Sequence, residues 1–165
     1  MSDASAAIEI RPAAPGDIPA LAEFLTEIVR EHGVSMDAPA VERDLRQLHP
    51  GQEFLLAIGQ DGAVAGLAAY SVLYPSTGAG LTPLLFLKEL HVAPARRRHR
   101  IASRLMAQLA RIARDRGCPR VGWNTPRDNV GAQSLYDGLG ADRAEWLLSY
   151  RLSGEALDRL AASAD

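Results

Sequence analysis

Residues Trp123 to Ala141 read W-N-T-P-R-D-N-V-G-A-Q-S-L-Y-D-G-L-G-A. Trp123 ends the apolar segment Val121, Gly122, Trp123, and Thr125-Pro126 break it. A helix is expected from near Asp128 or Asn129 to Leu139, with Gly140 as its stop signal. Asn129, Ala132 and Tyr136 then share one face. Asn129 and Tyr136 stand close to two turns apart, so an amide near the helix start and a phenol near its end can line one groove. Leu135, Tyr136 and Leu139 at the same spacing also suit a plain core face carrying one amphipathic tyrosine.

Working upstream, Leu85 to Met106 reads L-F-L-K-E-L-H-V-A-P-A-R-R-R-H-R-I-A-S-R-L-M. This is a strand ending in Val-Ala-Pro, a basic loop, and a helix beginning near Arg100 or Ile101. Ile101, Leu105, Met106, Leu109, Ile112 and Ala113 form its apolar stripe at a 3.6-residue period. A helix start that follows a run of arginines suits phosphate, because unpaired amides and the helix dipole both favour an anion there. A solvated patch or a nucleic-acid footprint would also account for the basic run. Nucleic acid is disfavoured by a formal net charge of −2, a pI near 6.1, and the lack of aromatics among the arginines.

These two stretches, in this order, resemble motifs A and B of the GNAT superfamily, amine N-acetyltransferases that use acetyl-CoA. The resemblance implies an α/β (α+β) GNAT-like acyl-CoA N-acyltransferase fold, a mixed and mostly antiparallel central sheet flanked by helices, over roughly Ile8 to Leu152. The family pattern Q/R-x-x-G-x-G/A maps onto Arg97, Arg98, His99, Arg100, Ile101 and Ala102. Arg97 and Ala102 fit it. Arg100 replaces a usual glycine and Arg98 a frequent one, which a negative φ would tolerate and an arginine–phosphate bond would offset. By the same resemblance, backbone N–H groups of Leu90, His91 and Val92 polarise the thioester, and Asn129 and Ala132 contact the cofactor. Tyr136 resembles the family's general acid. Glu89 is the first choice for the base that receives the amine's proton, directly or through water. Glu53, His91 and Tyr70, or ordered water alone, are its substitutes, and a surface or ion-paired carboxylate is the plain alternative for Glu89.

Composition and the remaining pattern agree with one N-acetyltransferase domain over 1–165. The chain has 165 residues and is 47% hydrophobic, enough for one substantial core. Cys118 is the single cysteine and the four histidines lack paired ligand spacing, so no metal is expected. An N-terminus without a leader and the lack of a long apolar run point to a cytoplasmic protein without a membrane partner. Strands are expected at Ile8–Arg11, Glu53–Ile58, Ala63–Tyr74, Arg120–Asn124 and Ala144–Leu152, the last closing the sheet. G-Q-D-G (59–62) joins the second and third as a hairpin. Helices are expected after Asp17 as cap, with a face of Leu21, Phe24, Leu25 and Ile28, then over Pro39–Leu48, and over Ser153–Ala162 with Ser153 as cap. Pro75–Leu81 reads as a loop that can wall an acceptor site. The expected activity is acetyl transfer to a small-molecule primary amine. Transfer to a protein or peptide, and a noncatalytic acyl-CoA-binding domain, are the alternatives. A homodimer is expected from the resemblance, with the 146–150 segment as its candidate surface.

Overall fold

The structure, a computed structural model, describes residues 8–48, 51–74 and 82–163. The chain divides into two compact units, Met1–Asn129 and Val130–Asp165. The first is built on a five-stranded sheet of order β1-β2-β3-β4-β5, comprising β1 (Glu9–Pro12), β2 (Glu53–Ile58), β3 (Val64–Leu73), β4 (Leu84–Val92) and β5 (Val121–Trp123). The first four strands are antiparallel neighbours, and β5 runs parallel to β4. A parallel pair needs a crossover, which α3 (Ile101–Asp115) supplies.

Each sheet face is covered by its own helix layer. On one face, α1 (Ile18–Glu31) buries Leu21, Phe24 and Ile28 against Leu56, Leu67 and Ala69, and Leu25 packs at the margin. α2 (Ala38–Arg46) packs on α1 and brings Leu45 to the same cluster. On the other face, α3 buries Ile101, Leu105, Met106, Leu109 and Ala113, and Ile112 is half-buried. Alternation along β2, β3 and β4 turns Leu55, Ala68, Leu85 and Leu87 toward that side, all buried. Gly66 of β3 sits in close quarters: a Cβ there would stand 2.9 Å from the His91 carbonyl oxygen and 3.3 Å from side-chain atoms of Ile101 and Val92.

Asp17 does not cap α1 with its side chain. Its backbone is already helical (φ −83°, ψ −11°), within a short 3-10 turn at Pro15–Asp17, so the carboxylate reaches backward. It accepts from both Arg11 terminal nitrogens (2.7 and 2.8 Å) and from the Ala14 amide, which together hold it down near pKa 2. Asp37, with an extended backbone, does cap α2 by accepting from the Ala40 amide at 2.8 Å.

The second unit holds α4 (Val130–Gly138) and α5 (Glu155–Ala161). α4 ends in a Schellman turn. Gly140 has φ +80°, its amide donates to Asp137 O, and the Ala141 amide donates to Tyr136 O. The expected closing strand at 144–152 is absent: the segment is turn and irregular chain, with Trp146, Leu148 and Tyr150 largely exposed. Its alternation carries strand propensity, but a strand also needs a ladder partner, and among the described residues it has none. Gly154, not Ser153, stands at the α5 N-cap, with φ +56° and no side-chain cap. The expected loop at Pro75–Leu81 lies outside the described residues.

Gly66→Ala is expected to destabilise the protein by about 1–3 kcal/mol, because the nearest obstacle is backbone and cannot move aside as a side-chain tip would. Chemical denaturation monitored by tryptophan fluorescence measures it.

Candidate active site

The site begins where β5 leaves β4. Leu85, Phe86 and Leu87 pair with Val121, Gly122 and Trp123, and the ladder then stops. Two local features end it. Pro126, three residues beyond Trp123, has no amide to donate. On β4, Ala69 opposes Glu89 while Tyr70 opposes Leu87, so Lys88 is the extra residue of a bulge. Beyond the bulge β4 keeps only β3 as a neighbour in the sheet.

Backbone direction there follows from one hydrogen bond. The Ala93 amide donates to Ala65 O at 3.0 Å, so alternation along the ladder turns the backbone groups of His91 and Glu89 toward β3 and those of Leu90 and Val92 away from it. Leu90 and Val92 thus present amides on the side that β5 has vacated. The Val92 carbonyl agrees with this direction, since it accepts from Arg97 Nε at 3.2 Å. Of the three amides expected to act together, that of His91 is committed to the sheet.

Next in the chain comes the arginine-rich loop. After a 3-10 turn at Pro94–Arg96, Arg98 and Arg100 both adopt left-handed backbone, φ +67° and +57°. The negative φ that would have made arginine easy at these positions is not what the chain adopts. The loop keeps a glycine-like path and accepts strain of about 1–2 kcal/mol per residue. That path leads into α3 with Arg100 as N-cap and without a capping side chain, so amides of its first turn, including those of Ile101 and Ala102, are left to an external acceptor. Acidic side chains from elsewhere tether the loop. Asp61, in the β2–β3 hairpin, accepts from Arg96 Nη2 at 2.5 Å, and Glu31 Oε2 lies 4.0 Å from Arg97 Nη2. The His99 ring Nδ1 stands 2.9 Å from Arg97 O and folds back on the loop. Uncapped amides, left-handed turns and arginines together fit a pyrophosphate-bearing ligand.

Glu89 and His91 project from the opposite face of β4, the α1 side. Glu89 is exposed, yet the protein around its carboxyl group desolvates it and raises it above the ordinary carboxylate value, against the pull of His32 and Lys88. His91 is partly buried, with its ring edge on Phe24 (centroids 5.7 Å apart) and Nε2 3.8 Å from Glu31 Oε2. Desolvation holds its imidazole below 6.5, with Glu31 acting in the opposite direction.

Glu53 and Tyr70, two of the expected substitutes for the base, belong elsewhere. Glu53 is bound at both oxygens by Arg116, past the end of α3, and accepts from the Tyr70 hydroxyl at 3.2 Å. The Arg116 guanidinium also lies over the Tyr70 ring. This pairing lowers the Glu53 carboxyl, and burial pushes the Tyr70 phenol up to about 12. Neither is poised to exchange a proton near neutrality; the cluster ties α3 to β2 and β3. Sequence reasoning missed Glu31 and Asp61, which reach the loop from about 66 and 35 residues away in the chain and carry no local signal.

Asn129 closes the first unit with its amide donating to Pro126 O at 3.1 Å, and α4 begins at the next residue. In the second unit, Ala132 and Tyr136 lie on α4 one turn apart, on one face as expected. Arg143 pairs with Asp137 at 2.6 Å and braces the helix end.

Residues 20–141 match the family model of the acetyltransferase (GNAT) family. The chain belongs to this GNAT family. Among GNAT relatives, a thialysine N-epsilon-acetyltransferase of Sus scrofa is 29% identical, with 94% of this chain and 98% of that protein covered. An aminoglycoside N(6')-acetyltransferase type 1 of Serratia marcescens is 31% identical over 62% of this chain and 70% of its own length. A solved aminoglycoside N-acetyltransferase AAC(6')-Iy in complex with CoA shares the fold, with TM-score 0.73 and 22% identity over 87% of this chain and 93% of that one. The protein is accordingly an acetyl-CoA-dependent acyltransferase of the GNAT type. No described helix is long and apolar enough to cross a membrane.

Arg100→Gly is expected to exceed Arg100→Ala in unfolding free energy by about 1 kcal/mol, because both lose the guanidinium but only glycine relieves the left-handed backbone. Equal stability of the two variants in urea titrations would show that no strain is stored there.

Proposed function

We propose that the 165 residues act as one cytoplasmic N-acetyltransferase domain that transfers the acetyl group of acetyl-CoA to a primary amine of a small molecule, by direct attack when both substrates are bound. The parting of β4 from β5 beside the uncapped start of α3 carries this proposal. It supplies outward amides and an anion cradle on adjacent stretches of one chain. Acetyl-CoA supplies the activated thioester. In this scheme the loop Arg97–Ala102 holds the phosphates, and the amides of Leu90 and Val92 bind the cofactor arm and polarise the acetyl carbonyl. Asn129 and Ala132 add cofactor contacts, as the motif B resemblance implies.

Two proton movements accompany the transfer. Glu89 receives the proton that the amine loses as its nitrogen bonds to the acetyl carbon, directly or through water. A carboxyl raised by desolvation is a better match to that task than an unperturbed one, since its proton affinity is nearer the working pH. Tyr136 gives its hydroxyl proton to the departing thiolate and regains one from solvent. The small-amine acceptor is supported by the relatives, whose names carry an aminoglycoside and thialysine. No observation favours a peptide acceptor or a noncatalytic role over it.

Release of CoA thiol is expected with acetyl-CoA and members of a panel of small primary amines. Tyr136→Phe should lower turnover on the order of 10²-fold with acetyl-CoA affinity changed little; unchanged turnover removes the acid assignment. We also propose a homodimer that covers Trp146, Leu148 and Tyr150. Light scattering should then give twice the 17.7 kDa chain mass, and a monomer at working concentration contradicts it.

A further inference from the structure

One carboxylate oxygen lies near both the α1 face of β4 and the arginine loop. Glu31 Oε2, at the last residue of α1, stands 3.8 Å from His91 Nε2 and 4.0 Å from Arg97 Nη2. His91 belongs to the α1 face with Glu89, whereas Arg97 belongs to the loop whose amides and arginines fit phosphate. We propose that Glu31 is a positioning residue shared between them: when phosphate draws Arg97 away, the carboxylate is left to His91 and helps it hold a proton. The proposal rests on the assignment of the loop as the acetyl-CoA cradle.

The charges around His91 decide the direction. From α1 it faces Glu31, and His32 whose ring Nδ1 is turned to Ile28 O at 2.8 Å; from the loop it faces Arg97; from β4 it has Glu89 two residues away on the same face. Phe24 closes one side of the ring, and Leu67 is its neighbour on β3. Glu31 favours the protonated ring, whereas desolvation, Arg97 and His32 oppose it. Of His91, Glu31 and Arg97, the last has the most exposed side chain, although its Nε stays bonded to Val92 O at 3.2 Å. Its side chain is more than half exposed and its Glu31 contact is long, so a multiply charged phosphate group outcompetes it. Neutralising Arg97 removes a charge that opposes protonation and leaves the one that favours it. An open depression lined by Glu27, Arg30, Glu31 and Pro94 gives this carboxylate contact with water, through which the proton can arrive.

Coupling of this kind is reciprocal. If CoA binding raises the proton affinity of His91, lowering the pH through the His91 titration must tighten CoA binding to the same degree. The consequence is an order of events: with the loop loaded, the His91 ring on the α1 side of β4 has a higher proton affinity before an amine arrives.

Calorimetric titration of the full chain with CoA at about pH 6, in two buffers of different ionisation heat, reads the protons exchanged. CoA itself carries a phosphomonoester that titrates near pH 6 and releases protons when arginines bind it, so the comparison is between wild type and Glu31→Gln, an exposed position where the amide keeps the shape. Greater net uptake by wild type is expected, together with an upward shift of the His91 ring titration by ~0.5 unit in NMR on CoA addition, absent in Glu31→Gln. Binding with the same proton count and an unmoved His91 titration in both proteins overturns the coupling while leaving the cradle intact. No CoA binding at all overturns the cradle assignment, and the coupling with it.

Discussion

A parallel pair of strands that separates after three residues is the constraint on which the first unit's chemistry depends. Leu87 and Trp123 form the last pair. Were the ladder to continue, Leu90 and Val92 would spend their amides on β5, and no polar backbone would be left at this edge. The bulge at Lys88 and the proline at 126 prevent it, one on each strand. The bulge has a second effect: it resets the alternation of β4. Leu85 and Leu87 before it, and Leu90 and Val92 after it, look to α3, so Glu89 and His91 look to α1. In the proposed scheme one strand thereby serves a cofactor edge and an acceptor face.

The loop that follows shows what such an arrangement costs. Left-handed arginines at 98 and 100 lie in a region that glycine enters freely and other residues do not. They persist because the loop is held at several points: Asp61 on Arg96, Val92 O and Glu31 on Arg97, and His99 on the carbonyl of Arg97. In the proposed scheme such tethers keep amides aimed at the phosphates before they arrive, so that little ordering remains to be done on binding. The same arginines carry charge that glycine lacks.

Much of this architecture was legible in the chain. The α3 stripe, the hairpin at 59–62, the α1 face and the Gly140 stop each follow from short-range periodicity or a single special residue, and the structure places them within a residue or two. Periodicity and caps also mislead where they are local. Asp17 and Ser153 have the composition of caps, but side-chain capping needs an extended backbone at that residue, and Asp17 is already helical. The segment 144–152 alternates like a strand, but strand formation is decided by a neighbour. Glu31, Asp61 and the Glu53–Tyr70–Arg116 cluster were invisible for a related reason: each joins residues far apart in the chain, and only the fold brings them together.

In the proposed scheme acetyl-CoA is held by the backbone left free where β4 and β5 part and by the arginine loop beside it. An amide-resolved nitrogen–proton spectrum recorded during titration with acetyl-CoA tests this most directly. The largest shifts are expected on Leu90, Val92 and residues 98–102, with the amide of His91, committed to β3, moving less. Saturable binding whose shifts lie elsewhere and leave Leu90, Val92 and the loop unmoved would contradict it.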